Sequence, residues 1–463
     1  MHTMAAIPRM ITSRYLSLIV IMFCLVSTFF FLLNNVQTAR NAKIVDLPSA
    51  RRLRLPGEFS KYLKPKASGS YCKMNFGLPT QLAYAKNNIS GTPELKESSE
   101  FRILYNVIES QLGDEDPGVT YVTQLTKEFV LHLAEIVRYW EGAVSVAVYI
   151  PDGNPKDILQ SILHFCYCIP QMSRLSLHLV FKKDSEPSFY LSKPMPPQTC
   201  EANELTRTSI NSNSSRDTKP HEFRSKASLI IVDPTNWYPI NVCRNAAREA
   251  AKTDFVLVSD IELMPSKGLA SRFIDMTESY KCEAPNCKKR IFVVPVFEVD
   301  SKEDLPRNKR QLVNLMRDHK AVYFHQLTCV HCQKFPGLDQ WKESEPGDII
   351  KPLLETKREI PYHRWEPIYI GTRTEPIYSE KLSWEGFQDK MLQMYEMCLN
   401  GYTVVLLDGA FLVHWPGIKT AKRKDEPWRV PYVKKNQDVY NEMLEKIHRK
   451  YSKNPKCGEQ KPS

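Results

Sequence analysis

Apolar and polar positions along the chain alternate between two periods. Residues 120–124, 144–150 and 175–181 read as short apolar strands, and residues 127–140, 157–165 and 241–251 recur at helical spacing. Residues 101–112 also show spacing that predicts a helix, and residues 229–232 a further short strand. Phe255-Val-Leu-Val258 is a continuous apolar run, the pattern of a strand covered on both faces, and Phe411-Leu-Val-His414 is a second such run that ends in histidine. Strands alternating with helices predict an α/β fold with a mostly parallel central sheet. Residues 34–97 lose this periodicity and gather Arg, Lys, Pro and Ser, the composition of a stem. Residues 206–219, rich in Ser, Asn and Thr, predict an exposed excursion.

The first apolar run stops at two acids, Asp260 and Glu262, followed by Pro265 and Gly268. Strand alternation predicts that both carboxylates face one side. The carboxyl ends of strands in open α/β sheets are where ligands bind, and paired hard oxygen donors there suit a divalent cation that clamps a diphosphate. An acid-x-acid triplet alone is also an ordinary solvated strand end. The chain has 63 Lys and Arg against 52 Asp and Glu, a net charge of +11. Its basic residues are scattered and carry no interleaved aromatic platform, which argues against nucleic acid as a partner.

Residues 15–33 hold no charge and are long enough to cross a bilayer. They predict a signal anchor, with residues 1–14 as a cytosolic tail, 34–97 as a lumenal stem and 98–463 as the globular domain. The sequons at Asn88-Ile-Ser90 and Asn213-Ser-Ser215 place N-glycosylation beyond the anchor. Twelve cysteines suit an oxidising compartment. Cys329-Val-His-Cys332 has half the spacing of a zinc site, but no second pair matches it, so disulfide use is expected.

Several ordered blocks together resemble glycosyltransferase family 49. They are Val122-Thr-Gln124, residues 140–149, residues 238–265, Val293-Val-Pro-Val-Phe-Glu298, Trp365-Glu-Pro-Ile-Tyr369 and residues 401–414. The resemblance implies a GT-A-type nucleotide-sugar-binding fold and an inverting, Golgi-membrane, type II glycosyltransferase. Its donor would be a UDP-sugar, UDP-glucuronic acid by likeness, and its acceptor a glycan on a glycoprotein. It implies donor contacts from Thr123, Gln124, Arg244 and Asn245, and a metal held by Asp260, Glu262 and His414. Imidazole with carboxylates favours Mn2+. Glu262 stands where the family has a second aspartate, and Ser379 where it usually has aspartate; within residues 365–414, Glu380 and Asp389 are the acids to test as bases. The same departures fit a second reading, a catalytically silent lumenal partner of other glycosyltransferases.

Overall fold

The computed structural model describes residues 63–65, 69–77, 81–113, 116–188, 200, 237–280, 289–347, 349–420 and 427–459. The expected anchor at 15–33, the excursion at 206–219, the strand at 229–232 and the Asn213 sequon lie outside the described residues. Among the described residues no helix is long and apolar enough to cross a membrane.

The larger sheet contains β1 (Lys73–Met74), β2 (Ile89–Ser90), β3 (Phe101–Glu109), β4 (Val119–Leu125), β5 (Val144–Ile150), β6 (Leu175–Lys182) and β7 (Phe255–Val258). A smaller sheet begins with β8 (Leu263–Pro265), and β9 (Arg290–Val293) returns to the larger one. Then follow β10 (Val296–Val299), β11 (Ala321–Tyr323), β12 (Lys351–Thr356), β13 (Tyr369–Gly371), β14 (Thr403–Asp408) and β15 (Leu412–His414). The helices are α1 (Val130–Tyr139), α2 (Lys156–Cys168), α3 (Ile240–Glu249), α4 (Leu269–Ser279), α5 (Lys309–Arg317), α6 (Val330–Gln333), α7 (Leu338–Glu343), α8 (Met391–Leu399) and α9 (Val430–Lys450).

The larger sheet runs β1-β3-β6-β5-β4-β7-β13-β9-β14-β12, with β2 beside β3. Only its centre, β6-β5-β4-β7, and the pair β9-β14 are parallel; the other pairings are antiparallel. The expectation of a mostly parallel sheet therefore holds for the core and is corrected at both flanks, where the sheet is mixed. The smaller sheet, β11-β10-β15-β8, is mixed as well.

Residues 101–112 correct another expectation. Residues 101–109 form strand β3, and no part of the stretch is helical. The register of β3 on β6 slips between Leu104 and Ile108, and Asn106 sits there at φ 52°. A bulge of this kind re-spaces the buried positions as Ile103, Leu104, Val107 and Ile108, which imitates a helical period. The stem reading is corrected from residue 69 onward. β1 and β2 both pair with β3, and Cys72 forms a disulfide with Cys166 of α2.

Three other disulfides are formed among the described residues: Cys168–Cys200, Cys329–Cys332 and Cys398–Cys457. Cys243 is a buried free thiol, and Cys24, Cys282 and Cys287 lie outside the described residues. Helix α3 organises the part of the fold that matters most here. Its small and apolar side, Val242, Cys243, Ala246 and Ala247, is fully buried within the core that β4, β5 and β7 contribute to. Its polar side, Asn241, Arg244, Asn245 and Arg248, is buried too, beneath the segment 372–390.

Candidate active site

The chain leaves the larger sheet at the end of β7 and enters the smaller one at β8, and residues 259–262 are the crossing. Their neighbours are fixed by strand register. Val258 pairs with Val122 in parallel, and the Ser259 amide donates to the Val122 carbonyl at 2.9 Å. Two residues further on, Gln124 therefore meets Asp260, its Nε2 donating to Oδ1 at 2.9 Å. On the other side of the crossing β8 pairs with β15, with Leu263 opposite His414. That register sets Glu262 beside the imidazole, with Oε1 3.3 Å from Nε2.

The two acids thus have different partners, and the strand alternation expected to place them on one side does not extend to them. The turn between the strands breaks the period of two. Asp260 accepts from Arg244 Nη2 at 3.1 Å and lies 3.5 Å from Lys390 Nζ. Burial alone would raise its carboxyl, but Lys390, Arg244 and Gln124 outweigh burial and hold it well below the usual carboxylate range. Glu262 behaves alike with other neighbours: burial raises it, and Lys419, His414 and His132 win and lower it. The side chains of Asp260 and Glu262 remain 28% and 30% exposed, so a ligand can reach both.

His414 has an acceptor at each ring nitrogen, the Gly417 carbonyl 3.2 Å from Nδ1 and the Glu262 carboxylate near Nε2. A neutral imidazole donates through one nitrogen only. Donation from Nδ1 to Gly417 would leave Nε2 free to meet a cation beside the Glu262 carboxylate, whereas without a cation an Nε2–H facing Glu262 is the favourable arrangement. The pair therefore fits a divalent cation. Asp260, held by its own cations, does not converge with the pair: among the described residues the three expected ligands do not come within 4.8 Å of one another. Behind His414 the Phe324 ring stacks at 5.5 Å. Glu298, opposite His414 in the β10–β15 register, accepts from the amides of His325 and Lys419, both at 3.1 Å.

The remaining expected residues fall into place differently. Arg244 is buried and spans Asp260 and Asp389, so its guanidinium orients acids and is not offered to a phosphate. Asn245 clasps the backbone of Tyr378 and one oxygen of Glu380, a structural task in place of the expected donor contact. Thr123 is fully buried, on the opposite face of β4 from Gln124, and does not reach the site. Glu380 is also corrected. Its oxygens accept from the amides of Glu94 and Leu95 and from Asn245, which leaves the carboxylate tied into the fold. Asp389 spends Oδ2 on Arg244 and keeps its side chain 15% exposed.

Sequence reasoning missed Lys390, Glu298 and Asn436. Lys390 stood next to a candidate acid and Glu298 ended a quoted block, whereas Asn436 gave no signal. Its amide, on α9, holds the carbonyls of Ser383 and Phe387 at 2.8 Å and so shapes the loop leading to Asp389. The sequon residue Asn88 is exposed at a short turn. A cavity of about 710 Å³ lies at the other end of α3, lined by Arg248, Glu249, Asp254 and Thr372, and touches none of the acids above.

Carboxylates at the carboxyl end of a parallel core, with an imidazole brought from a second sheet, lie where open α/β sheets bind ligands. The chain is a glycosyltransferase. It belongs to the family described as "Glycosyl-transferase for dystroglycan", whose model matches residues 118–452. It is 25% identical over 372 residues to beta-1,4-glucuronyltransferase 1 of Homo sapiens, covering 78% of this chain and 82% of the relative. For the Danio rerio protein of the same name the figures are 26% over 430 residues, 87% and 92%. The xylosyl- and glucuronyltransferase LARGE1 of Danio rerio is 22% identical over 364 residues, covering 74% of this chain and 38% of that longer protein.

Proposed function

We propose that this chain transfers glucuronic acid from UDP-glucuronic acid to a glycan acceptor, with inversion and with Mn2+. The reading also takes it as a single-pass protein with its catalytic domain in the Golgi lumen. The observation that carries it is the Glu262–His414 pair, with Asp260 two residues before Glu262 kept ionised and within reach of solvent. Glu262 and His414 would hold the cation, which supplies charge neutralisation for a departing diphosphate. Asp260, oriented by Gln124 and Arg244, is placed to accept hydrogen bonds from the donor. Asp389 is the better candidate base, since Glu380 has both oxygens engaged. The donor sugar follows from the names of the relatives, and the disulfides and the exposed Asn88 sequon support a lumenal domain.

One observation favours the silent-partner reading: Asp260 is paired with two cations and stands apart from Glu262 and His414. A single experiment separates the two. The full-length protein is incubated with a panel of UDP-sugars with and without Mn2+, and UDP release is measured. Release with UDP-glucuronic acid, dependent on Mn2+, is expected. Release with another donor overturns the sugar assignment, and none with any donor, together with no UDP–Mn2+ binding by calorimetry, overturns the enzyme reading of this site.

A further inference from the structure

Cys329 and Cys332 are joined by a disulfide across the start of α6, and His331 projects between them to the surface. His331 Nε2 lies 3.6 Å from Cys329 Sγ. Both sulfurs and a His331 ring nitrogen lie within 4.8 Å of one another. Tetrahedral zinc, with Zn–S of about 2.3 Å and Zn–N of about 2.0–2.1 Å, requires an S···N edge of about 3.6 Å. The loop therefore already holds one edge of such a site. The donor that seemed absent without a second cysteine pair is supplied from inside the loop.

Its surroundings set this disulfide apart from the others. Leu327 and Val330, which flank it, are 51% and 57% exposed. Each of the other three disulfides includes a cysteine with no exposed surface: Cys166, Cys168 or Cys457. Cys329 is 9% and Cys332 4% exposed; thiol exchange requires access to one sulfur, and Cys329, beside the exposed Leu327 and Val330, offers it.

We propose that the Cys329–Cys332 disulfide is the oxidised state of a metal site, and that once reduced the two thiolates and the His331 imidazole bind one Zn2+, with the fourth position left to water. Two thiols of a reductant supply two electrons and two protons and themselves become a disulfide, while Cys329 and Cys332 become thiols. Zn2+ then displaces both thiol protons into solvent. The site is separate from the Glu262–His414 pair, and the proposal does not rest on the donor or acceptor assigned above. The two places are nevertheless connected. The Cys329 amide donates to the His325 carbonyl at 2.8 Å, His325 is held by Glu298, and Phe324 stacks on His414.

The test uses the full-length protein, stripped of metal, in its oxidised form and after graded reduction with a phosphine that is then removed. Disulfides are mapped by mass spectrometry at each step, and Zn2+ uptake is measured by competition with a chromophoric chelator. The expected result is that Cys329–Cys332 opens first and that reduced protein takes up one more Zn2+ than oxidised protein. Substituted Co2+ should show a thiolate charge-transfer band. Cys332→Ser should abolish the extra uptake, and His331→Ala should weaken it by more than the roughly 10- to 100-fold that losing an outer partner of a metal site costs. The Glu262–His414 pair contributes equally to both forms and cancels. The proposal is overturned if this disulfide opens only with the other three as the chain unfolds. It also fails if reduced protein gains no Zn2+, or if His331→Ala binds as tightly as wild type.

Discussion

Asp260 and Glu262 are two residues apart, and their surroundings differ in kind. Asp260 sits in a closed set of charges, Arg244, Asp389 and Lys390, completed by Gln124. Glu262 faces a more open one, with a single imidazole at 3.3 Å and Lys419 as the charge that lowers its carboxyl most. The first arrangement is satisfied without a ligand; the second sets an imidazole nitrogen and a carboxylate side by side. A shared motif thus separates into a part that holds geometry and a part that, in the function proposed above, would take a cation.

That contrast can be broken at its strongest point first. Arg244→Ala leaves two acids without their shared guanidinium, and removing one partner of a buried ion pair costs roughly 3–5 kcal/mol; the denaturation midpoint should fall accordingly. On the open side, His414→Ala should change stability little and lose more in Mn2+-dependent UDP binding than the roughly 10- to 100-fold that outer partners of a metal site cost. Calorimetric titration checks this, and a midpoint loss as large as that of Arg244→Ala would erase the distinction. Glu262→Asp draws the carboxylate back from His414 by about 1.5 Å, one carbon–carbon bond. It should bind Mn2+ more weakly than wild type and more tightly than Glu262→Ala.

Glu380→Gln tests the assignment of that acid to the fold. An amide cannot replace an ionised group that accepts from two backbone N–H groups, so a loss of about 1.5–3 kcal/mol is expected in chemical denaturation. A larger loss in turnover than in stability would return Glu380 to catalysis. The smallest effect belongs to Lys390→Met. The Asp260 carboxyl is depressed in the folded state, so its charge is present above the ordinary carboxylate range and lost only as pH falls toward the lowered value. Without Lys390 that value rises toward the ordinary carboxylate range, and the acid limb of UDP–Mn2+ binding should move to higher pH. An unmoved limb would mean that Arg244 alone sets the charge.

Much of the core was legible because its signals are local. The run Phe255–Val258, the helix at 240–249 and the histidine at 414 follow from periodicity and from ordered blocks. Strand β3 was misread because a bulge at Asn106 gave a strand the spacing of a helix. The partners of the acids were legible only where register supplied them, as for Gln124. Arg244 and Asn245, adjacent on α3, were both read as donor contacts, yet within the segment 372–390 Arg244 meets Asp389 and Asn245 meets the Tyr378 backbone and Glu380. Nothing in the one-dimensional pattern tells which polar residue of a wholly buried helix meets a charge and which meets a backbone.

The Cys398–Cys457 disulfide and the Asn436 clasp carry a consequence for the time of synthesis. The acids of the crossing emerge from the ribosome early, while the imidazole, the α9 amide that shapes the Asp389 loop and the cysteine that staples it to α8 come later. At typical elongation rates of 5–20 residues per second, roughly 10–40 s separate residue 262 from residue 457. During that interval the nascent chain carries half of its charge network without the rest. Arg244 is made before Asp260, so the first salt bridge of the site can form while the chain is still growing; the pocket around it cannot.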